Sequence, residues 1–217
     1  MTLKSDLGNY RKSYSKNSTF KFNDFNNPFN LFSQWFEEFD NDKNNDSEVN
    51  AMTLSTVSLN GFPKNRIVLL KEFNENGFIF YTNYNSEKGL SISKNNKVCL
   101  SFFWEEHERQ IIIKGNAEKI SNSKSNEYFN SRPRGSQLGA VVSDQSSVIT
   151  SKKELVDRLL SLDMKYTNTS IPKPSHWGGF IVYPVEFEFW QGGKNRLHDR
   201  IRFLNDNNTW VKDRLSP

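Results

Sequence analysis

A chain of 217 residues is long for one small domain and short for two, and its 35 % hydrophobic and 14 % aromatic content is too rich for a disordered polymer. The net charge of +4 tolerates an anionic partner without demanding one, and Lys and Arg alternate with Asp and Glu instead of forming the basic stripe of a nucleic-acid binder. The lone cysteine, Cys99, excludes a disulfide framework, MTLKSDLGNY lacks the apolar core of a secretory leader, and no run approaches the ~18 apolar residues of a membrane span, so a cytoplasmic protein is expected.

Residues 1–26 are polar and aperiodic and read as a mobile arm, which leaves 27–217 as a single domain without repeat or linker. Pro28 opens the first helix, where its missing N–H is not needed. Phe29, Phe32, Phe36 and Phe39 follow at helical spacing, with Leu31 and Trp35 widening the face. Asp40 to Glu48 is a solvated loop. From Met52 the pattern turns to short β-type runs, and MTLSTVSL ends at Asn60-Gly61, a strong hairpin turn. RIVLLKEF, FIFYT, KVCLSFFW and RQIIIKGNAEKI continue the series, interrupted by short helices over Ser86–Asn95 and Ser123–Asn130. Ser151 to Tyr166 is the clearest helix: Ser151 and Glu154 make a capping box, and Leu155, Leu159 and Leu162 share one face. GGFIVYPVEFEFW then leads into QGGKNRLHDR, and RIRFL-NDNN-TWVKDRL closes the chain as a hairpin. The expected fold is mostly β with peripheral helices (α+β), a barrel or barrel-like sheet.

Several chemistries lack their residues. There is no GxGxxG after a strand, no GxxxxGK[ST] and no GxSxG elbow. His107, His176 and His198 have no metal-ligand spacing to Cys or carboxylates. Catalysis, if present, belongs to a borrowed cofactor.

What recurs is cations and hydroxyls beside apolar β runs. RIVLLK places Arg66 and Lys71 at the ends of a strand. YTNYNSEK offers Tyr81, Thr82, Ser86 and Lys88 at a helix start, a setting suited to phosphate. YFNSRPRGS brings Tyr128, Arg132, Arg134 and Ser136, which could form a second anion site; DQSS brings Gln145 and Ser146; RLHDR brings Arg196, His198 and Arg200. Any one of these is as well explained by a solvated face, and Trp190 and His198 singly by packing. Two phosphate-type clusters together point to a phosphorylated cofactor and a phosphorylated substrate.

FEFWQGGKNRLHDR closely resembles the C-terminal motif of the pyridoxamine 5'-phosphate oxidases. NAMTLSTV, RIVLLK, FYTN, ERQ, YFNSRPRGSQLGA, QSS and HWGGF resemble that family's other blocks, in its order, from about Tyr10 to Pro217. The resemblance implies an FMN-binding split β-barrel, homodimeric, with the flavins between the subunits. It implies oxidation of pyridoxamine and pyridoxine 5'-phosphates to pyridoxal 5'-phosphate, with molecular oxygen released as hydrogen peroxide.

It also implies roles by position. Arg66, Ile67, Val68, Leu69, Leu70 and Lys71 would run along FMN, with Lys71 also reaching the substrate phosphate. Tyr81, Thr82, Lys88, Gln110, Gln145, Ser146, Trp190 and Arg200 match further FMN positions. Tyr128, Arg132 and Ser136 match the substrate-phosphate cluster. Arg196, Leu197 and His198 match the turn that holds the pyridine ring, with Arg196 and His198 the catalytic pair, aligning the substrate C4' for hydride transfer to the flavin. Arg11, Lys12, Ser13 and Tyr14 resemble the arm that folds over substrate, although Ser13 stands where the family carries an acidic residue. Gly192 and Gly193 would allow the sharp turn, and Asp199 would orient a neighbouring cation. One departure is sharper: Glu87-Lys88 stands where the family carries a basic pair, so a carboxylate replaces an expected phosphate-binding cation.

Two other readings compete. A flavin oxidase of secondary metabolism on the same barrel would have no use for Lys71, Tyr128, Arg132 and Ser136 as a phosphate clamp. A non-catalytic carrier of FMN or pyridoxal 5'-phosphate would need neither Arg196 nor His198.

Overall fold

The computed structural model describes residues 7–9, 12–16, 22–43 and 46–217. Arg11 lies outside them. The chain gathers into two compact units: Met1–Val49, Phe102–Ile112 and Glu186–Pro217 form the first, and Asn50–Ser101 and Ile113–Val185 the second. The strands pair in the order β2-β1-β5-β6-β7-β4-β3, with β8 on β7 and β9 on β8, where β1 is Ala51–Val57, β2 Pro63–Leu69, β3 Glu72–Asn74, β4 Gly77–Asn83, β5 Lys97–Trp104, β6 Arg109–Lys119, β7 Trp177–Gln191, β8 Asp199–Asp206 and β9 Thr209–Leu215.

In the first unit, helix α1 (Pro28–Asp40) starts as its sequence dictates. Pro28 occupies the first turn, and the Asn27 side chain accepts the N–H of Phe29. The aromatic stripe meets aromatic partners: Phe29 lies 5.2 Å from Phe187, Phe32 5.3 Å from Phe102, Trp35 5.3 Å from Phe189 and Phe39 5.2 Å from Trp104. Each such buried ring is worth roughly 1.5–3 kcal/mol over exposure. Arg109 lies over the Trp35 ring, pairs with Glu38 and donates from Nε to Gln191 Oε1 at 2.9 Å, which braces the last residue of β7. The β8–β9 hairpin turns on Asn207 and Asn208, both left-handed (φ 50 and 67), the residue type that best tolerates that conformation.

In the second unit, β1 and β2 form the expected hairpin, Ala51 opposite Leu69 through Val57 opposite Pro63, with Gly61 at φ +86 in the turn. Helix α2 (Glu87–Lys94) is capped by Ser86, which is fully buried; its hydroxyl donates to Asn83 O and accepts the Gly89 N–H. Gly89 lies against the chain just before it: a Cβ there would stand 2.2 Å from Tyr84 O. Gly89→Ala should therefore destabilise the protein by about 1–3 kcal/mol, the usual cost of overpacking. Thermal denaturation measures it, and an unchanged midpoint would show that the helix can slide away.

Helix α3 (Asn122–Ser131) is followed by α4 (Arg134–Val142), a helix that the sequence reading did not anticipate. The Gln137 amide ties the two together by donating to Phe129, Asn130 and Arg132 carbonyls. Helix α5 (Lys152–Lys165) has the predicted Ser151 cap, and its Leu159 and Leu162, with Tyr166, pack on Phe129, Leu138, Ile171 and Trp177. The Glu154 carboxylate goes to Thr150 and Arg158.

Candidate active site

The second unit holds a cleft of about 580 Å³. Ile67, Val68 and Leu69 of β2 form one wall, with Lys71, Tyr81, Thr82 and Lys88 beside them, and Tyr128, Arg132, Ser136 and Gln145 opposite. Eleven of the residues assigned by resemblance thus meet here, although they span more than seventy positions of sequence. Leu70, 3 % exposed, is buried just beyond the end of β2.

Arg132 is the cleft residue with an unspent buried donor. Its guanidinium lies 4.8 Å from the Trp177 ring centre and 5.9 Å from that of Phe129, and its buried Nη1 has no hydrogen-bond partner. A buried guanidinium N–H left unpaired is costly. Burial also lowers its pKa. The platform beneath is aromatic: Tyr81 stacks on Tyr128 at 3.9 Å and on Trp177 at 5.4 Å. Burial, then the nearby Glu72 carboxylate, pushes the Tyr81 hydroxyl up to about 12, and burial raises that of Tyr128, so both remain hydrogen-bond donors at neutral pH. Arg134, by contrast, turns away to Asp163 and the Tyr166 carbonyl on the α5 side, so it is not part of an anion site.

At the other end sits a second knot of cations. Lys88 Nζ donates to Gln145 Oε1 at 2.6 Å, and Thr82 Oγ1 to the same oxygen at 3.2 Å. Ser146 Oγ accepts the Glu87 N–H at 3.2 Å. Burial, with Arg66 adding like-charge repulsion, pushes the Lys88 amine down to about 8. Arg66 donates to Leu54 O and Thr56 Oγ1 beneath β2. Ser86 spends its hydroxyl on the helix cap, which leaves Arg66 and Lys88 as the charges available to an anion. The anomalous Glu87 carboxylate is ion-paired with Lys64 of β2.

The first unit carries the C-terminal motif. Gly193 N–H donates to His198 Nδ1 at 3.1 Å, so Nε2 holds the proton of the neutral ring and is the atom left for a ligand. The His198 ring lies 4.7 Å from Trp190, and Tyr14 closes on both, 5.5 Å from Trp190 and 5.8 Å from His198. A Cβ on Gly193 would stand 2.2 Å from Leu197 O, which explains the second glycine. Asn195 and Arg196 are both left-handed (φ 56 and 62), and Arg196 and Leu197 stand out into solvent. Non-glycine residues hold such conformations where the surroundings over-determine them, most often at functional sites. Arg200 is committed to Glu188 and to the Ser216 carbonyl. Asp199 pairs with Arg214 across the β8–β9 hairpin and orients no cation of the motif. Gln110 is half-buried on β6, and Lys12 pairs with exposed Glu105.

A hollow of about 680 Å³ along α5 is larger than the cleft, yet its charges satisfy one another: Arg158 pairs with Asp144 and Glu154, and Lys153 with Asp157. Its ion pairs leave it without the unspent charge that an anionic ligand needs.

The fold and the cleft define a member of the FMN-binding split-barrel class. PhzG from Burkholderia lata, solved with tetrahydrophenazine-1-carboxylic acid, superposes with a TM-score of 0.86 at 25 % identity over 95 % of this chain and 100 % of that one. A pyridoxamine 5'-phosphate oxidase-related, FMN binding protein from Nostoc punctiforme shares the fold, with a TM-score of 0.68 at 14 % identity over 88 % and 98 % of the two chains. Residues 44–164 match the family model described as pyridoxamine 5'-phosphate oxidase, and 177–217 that of the pyridoxine 5'-phosphate oxidase C-terminal dimerisation region. The pyridoxine/pyridoxamine 5'-phosphate oxidase of Flavobacterium johnsoniae is 55 % identical over 98 % of this chain and 99 % of its own. That of Christiangramia forsetii is 52 % identical over 99 % and 100 %. The chain belongs to the pyridoxamine 5'-phosphate oxidase family, an FMN-dependent family, and is an oxidoreductase of vitamin B6 metabolism. Among the described residues no helix is long and apolar enough to cross a membrane.

Proposed function

We propose that this protein is a cytoplasmic homodimer that binds FMN at the subunit interface and oxidises pyridoxamine and pyridoxine 5'-phosphates to pyridoxal 5'-phosphate. Molecular oxygen is the final acceptor and leaves as hydrogen peroxide; with the amine substrate, water enters and ammonia leaves. The observation that carries the reading is the unpaired, buried Arg132 Nη1 in a cleft lined by Lys71, Tyr128 and Ser136. That group of donors matches a phosphate ester and has no counterpart role for an unphosphorylated ring, which disfavours the secondary-metabolism reading.

The residues fit FMN as well as substrate. Lys88 and Arg66 are cations weakened by burial, the state that an anion relieves. Gln145 and Ser146 lie next to them, and Ile67, Val68 and Leu69 offer an apolar wall for a ring system. When bound, FMN supplies the two-electron acceptor and the route to oxygen. The protein's contribution is alignment. Lys71, Tyr128, Arg132 and Ser136 hold the substrate phosphate, and that remote binding energy fixes the pyridine. Arg196 and His198 orient the ring. His198 Nε2–H donates a hydrogen bond to the substrate, and the substrate's amine or alcohol proton leaves to water. Arg196 and Leu197 lie within the region matched to the family's C-terminal dimerisation model, in keeping with a homodimer. Residues 1–26 supply the arm that covers the bound substrate, anchored where Phe22 is buried against Trp35, and 27–217 act as one functional domain.

Hydrogen peroxide release by the purified protein tests the reading. It should appear with pyridoxamine 5'-phosphate and be far weaker with pyridoxamine. Equal rates with both would remove the phosphate clamp, and no release with either would favour a carrier.

Lys88 gives the cofactor site a pH dependence. Its folded pKa of about 8 lies below the ordinary lysine value of 10.5. The apo fold is therefore penalised at pH values below about 8 and recovers that stability as pH rises towards the unfolded value. A phosphate ester favours the ammonium form, so above pH 8 binding must take up a proton, and FMN affinity should fall by up to about ten-fold per pH unit. Lys88→Arg, charged throughout, should flatten the profile. Fluorescence titrations from pH 7 to 9 decide, and an identical slope in Lys88→Arg would place the titrating group elsewhere.

A further inference from the structure

Glu108 is 3 % exposed, and its backbone is left-handed at φ 53. Of the described non-glycine residues with positive φ, Asn168, Asn195, Asn207 and Asn208 are of the tolerant type; Glu108, Ser146 and Arg196 are not. The family resemblance assigns Ser146 to the cofactor and Arg196 to the substrate. Glu108 has no role assigned to it, yet its conformation is just as unfavourable.

Its backbone closes the short 3-10 turn Glu105–His107, donating its N–H to Glu105 O at 3.0 Å, and its remaining polar groups reach further. One carboxylate oxygen accepts the Ser15 N–H at 3.2 Å, and the other the Lys16 N–H at 2.9 Å. The Glu108 carbonyl accepts the Gly192 N–H at 2.7 Å and Gln191 Nε2 at 3.3 Å. One residue thus ties the N-terminal segment to the end of β7. The next side chain along that segment is Tyr14, which rests on Trp190 and His198. Gly192 leaves the seat open: a Cβ there would stand 3.0 Å from the Tyr14 Cβ and Cγ and 2.9 Å from the Glu108 Cβ. The Lys12–Glu105 pair is exposed on both sides and adds little by itself.

We propose that Glu108 is a positioning residue for the substrate site: its carboxylate holds the backbone of Ser15 and Lys16 and thereby sets the Tyr14 ring against His198. This rests on reading His198 as part of the substrate site, with Trp190 a cofactor contact beside it. Glu108 touches no substrate and acts through Tyr14. A carboxylate suits the task because it is acceptor-only and presents two oxygens to two adjacent N–H groups.

Glu108→Gln keeps the size but turns one acceptor into a donor. In the flavin-loaded protein, hydrogen exchange by mass spectrometry should show the Ser15 and Lys16 amides exchanging at least about ten-fold faster than in the wild type. The Michaelis constant for pyridoxamine 5'-phosphate should rise about five-fold with kcat changed less than about two-fold. In a Tyr14→Ala background the same substitution should add almost nothing to the Michaelis constant, a coupling that a purely structural role would not produce. Glu108→Asp, with both oxygens but a shorter reach, should restore part of the protection, and serves if Glu108→Gln fails to load flavin. Unchanged amide exchange, or an undiminished effect without Tyr14, would overturn the proposal. Because exchange is read without turnover, an inactive wild type would count against the enzymatic reading while the amides still decide on Glu108.

Discussion

Arg132→Ala should raise the Michaelis constant for pyridoxamine 5'-phosphate by at least about ten-fold while FMN remains bound. Removing a charge-assisted contact to a phosphate costs roughly 1.5–3 kcal/mol, and each 1.4 kcal/mol is a factor of ten. The loss should fall near the top of that range, because the guanidinium is partly buried, rests on Trp177 and has an Nη1 with no protein partner to fall back on. Arg132→Lys should recover little, since an ammonium cannot reproduce a planar fork stacked on an indole. Steady-state kinetics and the flavin content of the purified variant are the two readouts. Loss of FMN with unchanged substrate affinity would mean that Arg132 serves the cofactor phosphate.

The second large effect belongs to the C-terminal motif. Arg196→Ala and His198→Ala should each lower kcat/KM by at least about ten-fold, equal to roughly 1.4 kcal/mol of transition-state stabilisation. For His198 the structure supplies the reason: Gly193 fixes Nδ1 as an acceptor, and Trp190 and Tyr14 fix the ring plane, so Nε2 is presented in one orientation. His198→Asn should retain more activity than Ala if a single N–H is what the substrate needs. Arg196 is held by a strained backbone and exposed, so its removal costs the fold little, and the thermal midpoint should not move. Wild-type turnover in both variants would take the motif out of the site.

Local chemistry made much of this legible. Asn60-Gly61, the Phe29 to Phe39 stripe and the Ser151 cap each specify their element with neighbouring residues alone, and each forms as expected. Helix α4 was hidden because Gly135 and Gly139 lower its helical preference and Pro133 precedes it without a side-chain cap; its place is set by Gln137 and by Leu138 entering the core. The cleft residues could be gathered through family resemblance, but their partners could not. Lys64 and Glu87 lie in different elements, Arg134 finds Asp163 a helix away, and Asp199 finds Arg214 only because β8 and β9 pair in one register. Glu108 gave no sign of its contacts to Ser15 and Lys16, because a carboxylate that binds backbone N–H groups far along the chain has no partner side chain to betray it.

The most direct test of the account is the absorption spectrum of the purified protein under anaerobic conditions. A bound-flavin spectrum should bleach on addition of pyridoxamine 5'-phosphate, return on admitting oxygen with release of hydrogen peroxide, and respond only weakly to pyridoxamine. A flavin spectrum that stays unbleached by the phosphorylated amine, or that bleaches equally with the unphosphorylated one, would contradict it.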